Sequence, residues 1–155
     1  DWFVTSVMLD VLTGGPESVL HKLLVDTGKA SAVDGSAEPA SEQNLSTVNV
    51  MLAPKQSHEE IEKLVLQTIA KLTVAEITPL IKKAKAKIIT DELFARTQSQ
   101  RIAQELTEYV SSGQWERYGE TTEILKAITV KQVSDCLQSS FIKNNMTVGH
   151  FIGTN

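Results

Sequence analysis

The residue types that most often carry chemistry are scarce in this chain: three histidines and one cysteine among 155 residues. His21, His58 and His150 have no second histidine or cysteine at a metal-ligand spacing. Neither H-E-x-x-H nor H-x-x-E-H occurs, the patterns that place two imidazoles and a base on one helix face. His58 stands beside Glu59 and Glu60, but behind Ser57 these residues make a capped helix start, where carboxylates meet the positive end of the helix dipole. That stretch reads as a solvated first turn. His21, next to Lys22, reads as a surface or boundary residue, and His150 as a cross-strand packing residue. The sequence therefore assigns no catalytic, cofactor-binding or metal-ligating residue.

Other candidates resolve the same way. Ser36, Ser41 and Ser139 have no adjacent base and no G-x-S-x-G elbow. Gly14-Gly15 is not followed by the Lys-Ser/Thr pair of a phosphate loop. Lys82, Lys83, Lys85 and Lys87 in "IKKAKAKII" lack the aromatic platforms that single-stranded nucleic acid needs, so they read as a solvated helix face. A net charge of -4 gives no electrostatic reason to expect nucleic acid. Asn44-Leu45-Ser46 and Asn145-Met146-Thr147 match glycosylation sequons, a pattern frequent by chance. A lone Cys136 excludes an internal disulfide and a Cys-rich zinc site, and reads as a small buried hydrophobe. No run of roughly 18 apolar residues offers a membrane span.

The elements that would position these residues follow from periodicity. Trp2 to Leu12 form an apolar helix that stops at Gly14-Gly15. Pro16 suits a first helical position, opening a short amphipathic helix over "PESVLHKLLVDTGK" that Gly28 caps. Two strands follow, "ASAVDGSAEP" and "LSTVNVMLAP", ended near Pro39 and Pro54. Leu45, Thr47, Asn49 and Met51 share one face of the second, and Val48, Val50 and Leu52 the other. Ser57 opens a helix through Ile69 with a capping box, and Thr73-Val74-Ala75-Glu76 repeats the signature. A long helix then runs to about Ser111, with Pro79 in its first turn and a bend near Thr97–Ser99. Gly113 ends it, and Trp115, Tyr118, Ile124 and Leu125 pack a short helix. Thr129 caps the last helix, and "MTVGHFIG" alternates as a final strand that returns to the other two. The fold class is α+β: helices packed on one face of a small, mostly antiparallel sheet, in a single domain over 1–155. Such a chain buries roughly 70% of its unfolded-state surface. Its start in mid-helix, without Met and without a secretory signal, suggests a processed protein or an excised fragment.

The order of these pieces resembles a known family. "GGPESVLHKLLV" is similar to its glycine-rich turn before S-x-L-x-x-x-L, and Gly28-Lys29-Ala30 leads into a first strand as it does there. "NVMLAP" with "SHEEIEKLVLQTIAKL" resembles its second strand and next helix. "GQWERYGETTEILKAITVKQVSDCLQSSF" and "NNMTVGHFIGTN" resemble its ending and its N-x-T-V-G closing strand. Together they cover almost the whole chain and point to the pitrilysin/insulinase-type zinc metallopeptidases, which include the mitochondrial processing peptidases.

The resemblance implies a two-half protein, each half made of two similar α+β subdomains, with H-x-x-E-H and a further glutamate in the first subdomain of the catalytic half. There zinc-bound water would attack the peptide carbonyl, the motif glutamate acting as base. This chain would be a second, non-zinc subdomain: zinc belongs to the parent protein and none to this fragment. Its partners would be a peptide or unfolded substrate and the other subdomains or a homologous subunit. The family's substrate-binding Arg and Tyr fall at Leu24 and Ser31, a departure that argues against the non-catalytic half of an active enzyme, and the T-V-G close fits the zinc-bearing half. For a bacterial parent the resemblance implies a periplasmic or exported home, while the free cysteine is equally compatible with the cytosol. The alternatives are a non-peptidase scaffold or core-protein subunit of the same fold, and an unrelated α+β interaction module.

Overall fold

The computed structural model describes residues 2–37, 45–111, 113 and 115–152. Helix α1, Trp2–Thr13, is apolar on nearly every side, which requires enclosure rather than a one-sided seat. Val7, Met8 and Leu12 are fully out of solvent, and Phe3, Val4, Leu9 and Val11 are buried with them. The helix ends where Gly14 N–H bonds to the Asp10 carbonyl and Gly15 takes a φ of 130°. Pro16 lies in the turn beyond, not at a first helical position; the helical residues begin at Val19. The short segment His21–Val25 is wound as a π-turn, with Asp26 N–H on the His21 carbonyl and Lys29 N–H on that of Leu24. Gly28, at φ 70°, takes the chain out as expected of a cap.

Strands β1, Ala30–Ala37, and β2, Ser46–Leu52, pair antiparallel with a bulge between Ala30 and Ala32. Pro39, Ser41 and Asn44 lie outside the described residues. The register sets Asp34 opposite Asn49 and Ser36 opposite Thr47 on the outer face. There Asn49 Nδ2 donates to Asp34 at 3.0 Å, and the Ser36 and Thr47 hydroxyls are 3.0 Å apart. Val33, Gly35, Val48 and Val50 turn inward, in the face division expected from the alternation. Gly35 is where the helix comes closest. A Cβ there would meet Thr13 Oγ1 at 2.7 Å and Leu9 Cδ2 at 3.3 Å. Trp2 Nε1 donates to the Ala37 carbonyl at 2.9 Å, fastening the start of α1 to the end of β1.

The remaining helices complete the enclosure. They are α2 (His58–Lys71), α3 (Val74–Ala95), α4 (Ser99–Ser111), a 3-10 helix at Trp115–Glu120, α5 (Thr121–Ala127) and α6 (Val130–Ser140). α1 packs against β1, α3, α5 and α6, burying Ile77, Ile81, Ala84, Leu125, Val133 and Leu137 in one core with it. Ile61 of α2 closes a smaller cluster with Leu24 and Ala30. Thr73 and Thr129 form complete capping boxes with Glu76 and Gln132. Ser57 forms half of one: it accepts from Glu60 N–H, but its hydroxyl donates to Glu59 instead. In α+β terms the fold is as expected, helices on one face of a small antiparallel sheet.

Four further expectations are corrected. The long helix is two helices, because Thr97 and Gln98 bond back to Phe94 and Ala95 and tighten the chain out of the α-spiral. Pro79 is the sixth residue of a helix beginning at Val74, so it is in the second turn. The carbonyl it leaves unpaired belongs to exposed Ala75, where water can reach it. Trp115 does not pack inside; it is 60% exposed. Residues 146–152 form no strand: His150 is drawn instead to Glu62 of α2, and Val148, Phe151 and Ile152 face solvent.

Two substitutions test the close approach. Gly35→Ala should lower stability by about 1–3 kcal/mol in urea unfolding, and adding Thr13→Ala should recover part of the loss by removing the atom that clashes. Equal midpoints for Gly35→Ala and the unsubstituted protein would refute the contact.

Candidate functional site

A groove of about 460 Å³ runs along α1 beside β1. Phe3, Leu9, Ile88 and Leu125 supply its apolar lining and Asp34–Ala37 one wall. Among the described residues β1 has a strand partner only in β2, and its residues Asp34–Ala37 line this groove. Of the charged residues around it, Asp34 bonds to Asn49 and the others are in ion pairs. Lys87 bonds to Asp10 and to the Gly14 carbonyl, and Glu92 holds Arg96 at 3.1 and 3.2 Å. What the groove presents is therefore an apolar floor and a strand edge, with no nucleophile–base pair.

The Glu92 end is closed by aromatic residues. Tyr109, the one buried residue of α4, meets Trp2 edge-on at 6.3 Å and Tyr118 at 5.6 Å. Its hydroxyl lies 3.3 Å from Thr121 Oγ1. Arg96 stacks over the Tyr118 ring and donates to the Tyr118 carbonyl at 2.8 Å. Burial pushes the phenols of Tyr109 and Tyr118 up from their ordinary value. Burial first, and the Glu92 carboxylate second, push Glu105 up as well. Glu105 Oε2 and Tyr118 OH are out of water with no hydrogen-bond partner. Sequence reading missed this polar group; only an amphipathic helix carrying a glutamate on its apolar side hints at it.

The structure brings two of the three histidines together. The rings of His58 and His150 lie 5.1 Å apart, and His150 Nε2 is 3.0 Å from Glu62 Oε2. The sequence placed His150 against strands; it rests on the first turns of α2. His21 Nδ1 is 3.3 Å from Asp26, at the boundary position expected. Among the described residues no three His, Cys, Asp or Glu are grouped to hold a metal ion, so these residues do not fit the zinc site of a metallopeptidase. Cys136 is half-buried, 3.8 Å from the hydroxyls of Thr5 and Ser140.

The lysine run is not a uniformly solvated face. Lys83 pairs with Glu17 and lowers its carboxyl pKa. Lys85 donates to the carbonyls of Lys126 and Ile128, both at 2.7 Å, closing the carbonyl end of α5. Burial lowers the Lys85 pKa.

No protein-family model matches the sequence, and no curated protein matches it significantly. Solved structures do. A candidate zinc protease from Bordetella pertussis Tohama I superposes with a TM-score of 0.81 over 98% of this chain and 84% of that one, at 18% identity. The chain shares its fold. The inactive peptidase domain of a candidate zinc protease from Bordetella parapertussis gives 0.82 over 98% and 82%, at 19% identity. A protease from Helicobacter pylori gives 0.74 over 89% of this chain and 34% of that one, at 16% identity.

Lys85→Met keeps the buried stem but strips α5 of its cap, and should cost about 1–2 kcal/mol in urea unfolding. Lys82→Met, on the exposed side, should stay within about 0.5 kcal/mol of the unsubstituted protein. Equal effects of the two would refute the capping role.

Proposed function

We propose that this chain is the non-zinc subdomain of a pitrilysin/insulinase-type metalloendopeptidase, walling the chamber in which a peptide is held. Zinc and its H-x-x-E-H motif would lie in another subdomain. The observation that carries the reading is the groove beside the open edge of β1, in a fold shared with zinc-protease structures. An apolar floor and an unpaired strand edge suit an extended peptide, whose backbone can bond to the edge whatever its side chains. The internal pairing of Lys87 with Asp10 and of Arg96 with Glu92 removes charge that would select for sequence.

A second reading has its own support, since one structural neighbour is an inactive peptidase domain. In that case the chain belongs to a scaffold subunit of the same fold. Peptide mapping of the native protein by mass spectrometry separates the two. An intact H-x-x-E-H in an adjoining subdomain supports the peptidase, and a broken motif supports the scaffold.

Neither reading places a metal in this chain. The isolated 155-residue chain should therefore show neither stoichiometric zinc at nanomolar affinity after dialysis nor chelator-sensitive peptide cleavage. Either result would overturn the assignment to a non-zinc subdomain.

A further inference from the structure

Little holds α4 to the rest of the molecule. Only Tyr109 is buried; Ile102, Glu105 and Leu106 are half-buried, and Val110 is 62% exposed. A short turn at 96–98 joins it to α3. A helix with one buried anchor opens at small cost, and this anchor touches Tyr118 together with Trp2 and Thr121, the last two of which line the groove.

The same helix carries Glu105, with Oε2 shielded from water and unpartnered. The charges that act on it are Glu92 and Arg96 from α3, and Arg101 and Glu108 on its own helix. Tyr118 faces it from the 3-10 helix, and Tyr109 from its own. Arg96 is committed to Glu92 and to the Tyr118 carbonyl, so it does not satisfy Glu105. A protonated carboxyl tolerates such a place far better than an ionised one.

We propose that α4 is a proton-sensitive flap at the Glu92 end of the groove, closed while Glu105 carries its proton and released when it ionises. Release turns the helix about residues 96–98 and draws Tyr109 away from Trp2 and Thr121 at the end of the groove. The sign follows from linkage. Closure raises the Glu105 pKa, so the closed form binds a proton that the open form gives up. Closed-state stability falls as pH rises from the ordinary glutamate range through the raised value. The inference stands on α4 and its contacts, independently of the peptidase reading.

Hydrogen exchange with mass spectrometry tests it on the intact protein at pH 5 and pH 8, corrected for intrinsic exchange. Peptides from 99–111 should lose protection by roughly threefold or more at pH 8 relative to peptides from α1. Glu105→Gln should hold protection at the acid level at both pH values, while Glu60→Gln, exposed on α2 and not among the charges that act on Glu105, should behave as the unsubstituted protein. Equal protection of 99–111 at the two pH values, or a pH dependence that survives Glu105→Gln, would overturn the proposal.

Discussion

The enclosure of α1 is the constraint on which the rest depends. A helix of sequence WFVTSVMLDVLT has almost no polar face, and leaving it open to water would forgo most of the hydrophobic stabilisation available to the fold. The hairpin, α3, α5 and α6 are each positioned by contact with it. Gly35 is the point where that requirement reaches the backbone, because any side chain there would push strand and helix apart. The indole of Trp2 adds a directional tie, its N–H reaching the Ala37 carbonyl and fixing how far along β1 the helix begins.

A buried central helix under a two-stranded hairpin leaves the sheet incomplete on one side. The inner residues Val33, Val48 and Val50 remain only half-buried, and Asp34–Ala37 of β1 line the groove. Lys87 and Glu92 are paired within the chain, while Asp34 brings an exposed carboxylate bonded to Asn49 beside apolar and hydroxyl lining. Among the described residues no three His, Cys, Asp or Glu are grouped there to hold a metal ion.

The helical layer is graded in tightness. Near α1 it is pinned by full capping boxes at Thr73 and Thr129 and by the Lys85 ammonium on the end of α5. Away from α1 it thins to α4, whose one buried residue is Tyr109 and whose Glu105 keeps an oxygen shielded and without a hydrogen-bond partner. Secure and loose parts thus meet at the groove, where Trp2, Glu92 and Thr121 contribute to both.

Local signals were legible wherever a short stretch contains its own partners. The caps at Thr73 and Thr129 need only four consecutive residues, the glycine at 28 supplies its own positive φ, and the alternation in "STVNVML" already states which side chains face inward. The α+β class and the two antiparallel strands followed from such signals. Elements that depend on a distant neighbour were not legible. "MTVGHFIG" has strand periodicity, but a strand exists only where an edge receives its hydrogen bonds, and His150 is held by Glu62 instead. The lysine run looked solvated because α5, whose carbonyls Lys85 caps, lies some forty residues away. The groove, the His58–His150 contact and the unpartnered Glu105 likewise arise from residues brought together across the chain. The sequence by itself determined the helices, the hairpin and the need to bury α1. Tertiary packing alone decided which edge stayed open and which charges lost their water, because burial and hydrogen bonding are properties of neighbours in space.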